Sequence, residues 1–156
     1  MKRLVLIALA ALIGASALAQ DGKTIYNRYS EAEGVSAVYI SPSMFKLMKR
    51  IPDIDLEGDS VNLGPIIRNL TGMYLINSEN PAVNEDIKRD VDRFIRRGAY
   101  EILMEAKEDG EVTRIYTMGD ESIVTGFVLL AFEPAECSFI CINGEMPRES
   151  LEELIK

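Results

Sequence analysis

The chain has 156 residues, 25 of them acidic and 17 basic, for a net charge of −8 at pH 7. That length suits one domain able to bury a real core, and the acidity argues against nucleic acid or anionic lipid as partners, since both are met by basic patches. There is no histidine, which removes Ser–His and Cys–His nucleophile pairs and the commonest proton shuttle at neutral pH, and the two cysteines are too few for an ordinary four-ligand structural zinc site.

The N-terminus reads first and most clearly. Lys2 and Arg3 precede an unbroken apolar run from Leu4 to Ile13, Gly14, Ala15 and Ser16 break it, and Ala17-Leu18-Ala19 sets small residues at the −3 and −1 positions of a cleavage site. This pattern is a secretory signal peptide; the run is too short for a spanning helix. No cysteine stands at the cleavage site to carry a lipid. The expectation is an exported protein, periplasmic or secreted, with residues 1–19 cleaved and residues 20–156 forming one domain. Without Lys2 and Arg3 the balance is 15 basic against 25 acidic residues, a net charge of −10.

Lys23 to Ser30 predicts a short amphipathic helix and Val35 to Ile40 a strand. Ser41 then caps a second helix with Pro42 at its first position, and Pro52 stops it. Residues 53–63 read as an acidic loop, with a helical turn from Gly64 to Asn69 and a strand from Gly72 to Asn77. Asn80 and Pro81 open the clearest helix: Val83, Ile87, Val91, Phe94 and Ile95 recur at helical spacing, basic residues gather near its end, and Gly98 suits a left-handed cap. Tyr100 to Lys107 and Val112 to Met118 flank the hairpin turn Asp109-Gly110. Ser122 to Phe132 is the longest strand, Ser138 to Ile142 the last, closed by Asn143-Gly144, and Pro147 to Lys156 forms a terminal helix. The fold class expected is α+β: a mostly antiparallel sheet of five to six strands with helices packed on one face.

The motifs of the chain resemble a family of exported bacterial proteins grouped as domain of unknown function 4252. The likeness runs through Glu33-Gly34-Val35, Val38 to Ser41, Met44-Phe45, Gly72 to Ile76, Glu79-Asn80-Pro81, Tyr100 to Met104, Asp109-Gly110, Ile142-Asn143-Gly144, and Leu151 with Leu154. The resemblance implies export and a small α+β domain. It brings no catalytic residue and no cofactor.

Several features compete for a functional role. Cys137 and Cys141, if both lie in a strand, share one face about 13 Å apart, beyond the 7 Å limit of a disulfide; a bond is conceivable if Cys137 sits in the turn before it, reactive thiols are a further reading, and two small buried hydrophobes are favoured. Asp53, Asp55, Glu57 and Asp59 begin like a calcium loop, but position twelve is Gly64, where a bidentate glutamate belongs. Lys88, Arg89, Arg93, Arg96 and Arg97 form a basic side on the long helix, open to an anionic ligand or an acidic partner, or simply a solvated face set by the helix dipole. Met44 and Met48, one turn apart, read as core. Asn69-Leu70-Thr71 matches a glycosylation sequon. Ile123 to Phe132 is apolar on both faces, so it is either central and buried or covered on one face by a partner or a second copy.

No catalytic or metal-binding residue is nominated, and no cofactor. The surfaces singled out for a partner are Phe127 and Leu129 on the apolar strand, with Arg93, Arg96 and Arg97 on the helix. The leading expectation is an exported, non-catalytic binding module of the cell envelope, engaging a protein partner or a second copy through a sheet face. Its rivals are a hydrolase built on paired carboxylates, which need no histidine, and a purely structural envelope protein.

Overall fold

A computed structural model describes residues 22–48 and 64–155. The signal-peptide reading and the acidic loop of residues 53–63 lie outside the described residues. The elements follow as α1 (Gly22–Tyr29), β1 (Val35–Ile40), α2 (Pro42–Met48), α3 (Gly64–Ile67), β2 (Leu70–Ser78), α4 (Pro81–Arg97), β3 (Glu101–Glu108), β4 (Glu111–Gly119), β5 (Ile123–Phe132), β6 (Cys137–Pro147) and α5 (Arg148–Ile155). The six strands form one sheet in the order β1-β2-β6-β5-β4-β3, and each neighbouring pair is antiparallel. The α+β class and the six strands are as the sequence predicts.

Local chemistry sets the boundaries. Asn80 caps α4, its side-chain oxygen accepting a hydrogen bond from the Ala82 N–H at 3.0 Å, with Pro81 at the first position. Ser41 caps α2 in the same way, its hydroxyl accepting from the Met44 N–H at 3.2 Å. Asp109 and Gly110 both have positive φ, 44° and 90°, as a type I′ hairpin turn requires. Gly98 departs from expectation: it is extended (φ −93°, ψ 175°), not left-handed. A β-carbon there would meet the Tyr100 ring at 2.8 Å, so a close approach, not a turn, calls for glycine. β6 also runs past Asn143-Gly144 to Pro147, and α5 begins at Arg148.

Alternation sorts the sheet into two faces. On the first, Tyr74, Ile76, Tyr116, Val128, Leu130, Phe132, Cys137, Phe139 and Cys141 are buried beneath Ile25 and Tyr29 of α1 and Ile87, Val91 and Phe94 of α4. Asp90 of α4 locks these two helices together: it accepts a hydrogen bond from the Tyr29 hydroxyl at 2.6 Å and ion pairs from Arg28 and Arg93. The second face has a smaller cluster at one end, where Phe45, Ile66, Leu70, Val124 and Met146 are buried with Ile40, Met48, Met73, Phe127, Ile142 and Leu151 packed around them. Here α2, α3 and α5 gather, and among the described residues the rest of the second face lies outside both core clusters.

Candidate functional site

The open part of the second face is a register product. Val38 pairs with Leu75, Leu75 with Ile140, Ile140 with Leu129, Leu129 with Ile115, and Ile115 with Met104. This single row crosses all six strands, roughly 24 Å at the usual strand spacing. None of its six residues belongs to either core cluster. The four inner ones are partly buried, while the end residues Val38 and Met104 are 48% and 44% exposed. The next row is small and mostly polar: Ser36, Asn77, Ser138, Ala131, Thr113 and Ala106 in the same strand order. Ser138 donates to the Asn77 side-chain oxygen at 2.6 Å, which ties two of these groups down. An apolar strip beside a low shelf of small side chains is a shape on which another backbone can lie closely.

The shelf has an acidic border. A depression of about 210 Å³ is lined by Glu111, Glu133 and Glu136 together with Thr113, Ala131, Phe132 and Ser138. None of the three glutamates forms an ion pair among the described residues.

The predicted partner residues divide. Leu129 sits in the middle of the open row. Phe127 lies one row along, partly buried in the cluster under α2, α3 and α5, and supports that end of the face. The long helix stands on the other face, and its basic residues are largely engaged there. Arg93 pairs with Asp90, Arg89 with Asp86, and Arg96 donates to the Asp92 carbonyl at 3.2 Å. Lys88 lies 5.1 Å over the Phe132 ring, and Arg97 is exposed in the last turn. β5 is central, as one of its two readings required, with Val124, Val128, Leu130 and Phe132 buried and Phe127, Leu129 and Ala131 partly so.

Other chemistry is spoken for. Cys137 and Cys141 are buried on the helix-covered face and are not bonded to one another. Burial pushes the Cys137 thiol up to about 12, far from reactive range. Among the described residues, the carboxyls of Glu105 and Asp120 are held below their ordinary values. Glu105 is lowered by hydrogen bonds from Lys107 and Arg114, and Asp120 by the backbone N–H groups of Ile123 and Ser122. That is the reverse of what a general acid needs. Among the described residues, no helix is long and apolar enough to cross a membrane, and no group of three His, Cys, Asp or Glu is placed to hold a metal.

Sequence reading found Leu129 but not its row, because alternation assigns a residue to a face and only strand order assigns it a neighbour. Thr71, which the sequence offers only as part of a sequon, and Thr125 belong to the irregular end of the sheet. Each precedes a glycine inside a strand, a local signal for a bulge, and each is the extra residue at a register shift, Thr71 between Leu70 and Gly72 against β6 and Thr125 between Val124 and Gly126 against β4.

A family model described as Domain of unknown function (DUF4252) matches residues 29–154. No curated protein and no solved structure matches the chain. The chain belongs to the DUF4252 family.

Proposed function

We propose that this DUF4252 domain is an exported, non-catalytic interaction module of the cell envelope. Its open sheet face receives a protein partner that presents an apolar strip flanked by basic side chains. The observation that carries this reading is the unbroken row from Val38 to Met104 lying outside both cores. Contiguous apolar surface of this kind, bordered by polar groups, is what marks protein–protein contacts on soluble domains. The row is long enough to seat a helix of about 16 residues. Charge selects the partner: Glu111, Glu133 and Glu136 border the shelf, and the processed chain carries a net charge of −10. A second copy would set like charges against like, whereas a basic border on the partner complements them. Export rests on the N-terminal pattern of residues 1–19.

The test is native mass spectrometry of residues 20–156 purified gently from the exported fraction of its own host, alongside Leu129→Asp and Ile140→Asn. The variants are first checked for an unchanged fold by circular dichroism. The expected result is one co-purifying protein lost in both variants and weakened by salt, as a charge-matched border requires. A clean monomer, or a partner retained by both variants, overturns the proposal. A homodimer would overturn the choice of a basic partner.

A further inference from the structure

Three departures from regular pairing meet at one point of β6. Gly72 of β2 and Gly126 of β5 both pair with Asn143, one from each side, and each follows a register shift. In the β2–β6 pair the extra residue is Thr71; in the β5–β6 pair it lies on β6, at Gly144 and Glu145 opposite Thr125, while Thr125 is itself the extra residue against β4. The next residue of β6, Gly144, has φ 143°, and a β-carbon there would stand 2.5 Å from the Asn69 carbonyl oxygen. Bulges re-aim side chains and concentrate beside functional sites. Here they border a cleft of about 430 Å³ lined by Pro42, Lys46, Asn69, Leu70, Thr71, Thr125, Asn143, Gly144 and Glu145. That volume falls in the usual range of small-molecule sites.

We propose that this cleft binds a small zwitterionic ligand, a free amino acid or a short unblocked peptide, with Lys46 taking its carboxylate and Glu145 its ammonium. The cleft offers one cation and one anion, and neither forms an ion pair among the described residues. The same lining carries neutral groups with bonding capacity to spare. Asn69 and Thr71 have no side-chain hydrogen bond among the described residues. Among the described residues, the Asn143 side-chain oxygen accepts from the Cys141 thiol alone, at 3.9 Å, and Thr125 donates to the Met118 carbonyl at 3.3 Å but keeps its acceptor side. Other ligand classes fit less well. A phosphate is repelled by Glu145 and met by a single cation. A divalent ion needs more oxygen ligands than one carboxylate and a few amides supply. A sugar ordinarily stacks on an aromatic ring, and none stands among the described residues of the lining. The face partner and this cleft stand on separate residues, so either proposal can fail alone.

The probe is L-alanyl-L-alanine, titrated into the isotope-labelled processed protein and followed by backbone amide resonances. N-acetyl-L-alanyl-L-alanine amide, which lacks both charges, and N-acetylglucosamine serve as contrasts. The expected result is saturable shifts at Thr71, Thr125, Asn143 and Gly144 with the free dipeptide only. Lys46→Met and Glu145→Gln, both at exposed positions, should each weaken binding about tenfold or more while leaving the rest of the spectrum in place. The proposal is overturned if the free dipeptide shifts nothing at several millimolar, if the capped peptide or the sugar shifts these residues equally, or if both variants bind as the parent does.

Discussion

Cys137 gives the sharpest quantitative test of the core. It is fully buried at the start of β6, and burial pushes its thiol up from the ordinary 9.0 to about 12, with Glu85 adding to the rise and Lys88 opposing it. A folded-state value raised in this way contributes stability that is complete below pH 9 and is lost as the pH climbs toward 12. Each unit of difference corresponds to about 1.4 kcal/mol. At pH 11 the unfolded thiol is almost wholly ionised and the folded one still mostly protonated, so the loss relative to pH 8 is about 2.5 kcal/mol. Tyr29, pushed up to about 12 by burial and its bond to Asp90, and Tyr116, raised by burial, destabilise the fold over a similar range. The parent protein alone therefore cannot isolate the thiol. Urea unfolding of the parent and of Cys137→Ala at pH 8 and pH 11 can, because both chains keep the tyrosines and the cavity cost of alanine is common to both pH values. The variant should lose about 2.5 kcal/mol less than the parent. Equal losses would show that Cys137 ionises in the folded state near its ordinary value, and the burial argument would fail. A thiol reagent at pH 8 supplies an independent reading: it should modify Cys137 no faster than the sheet opens.

Two further substitutions probe the joints of the fold. Asp90→Ala removes the acceptor of the buried Tyr29 hydroxyl and the ion pairs of Arg28 and Arg93, and should cost about 3 kcal/mol in urea unfolding at pH 7; a cost well below 1 kcal/mol would mean that solvent replaces the clamp. Gly144→Ala forces a side chain onto a φ of 143° and against the Asn69 carbonyl, and should cost about 2 kcal/mol or more, read as a lowered Tm; unchanged stability would show that the bulged end of the sheet yields easily.

Much of the architecture was legible because it is local. Asn80-Pro81, Ser41-Pro42 and Asp109-Gly110 each satisfy a backbone demand within a few residues, so sequence alone places a cap or a turn there. Gly98 shows the limit of that reasoning. A glycine after a helix fits a left-handed cap, but what uses it here is the ring of Tyr100, a contact that pattern alone does not rank. Gly144 misled in the same way: Asn-Gly reads as the end of a strand, yet β6 continues, since the positive φ serves a close crossing at Asn69 rather than a chain reversal. The open row was beyond reach for a different reason. Ile115, Leu129 and Ile140 each alternate correctly within their own strands, but that they lie side by side follows from the order β6-β5-β4, which is set by long-range packing.

The two edges of the sheet meet solvent differently, and this bears on how a partner would be received. β3 carries Glu101, Glu105, Lys107 and Glu108 within eight residues and bends at a bulge beside Leu103. Charge and bulging are the two devices that keep an edge from acquiring another strand. β1 has neither: Val35–Ile40 is uncharged and pairs with β2 without a shift. It is only six residues long, however, and it runs straight into Pro42, which has no N–H to offer. A strand added there would gain few backbone bonds. Val38, half exposed on β1, is at the same time the first residue of the apolar row. A partner of the proposed kind, lying on that row, would cross the strands from β1 to β3. Its affinity would come from side chains packed on the face rather than from strand pairing at either edge.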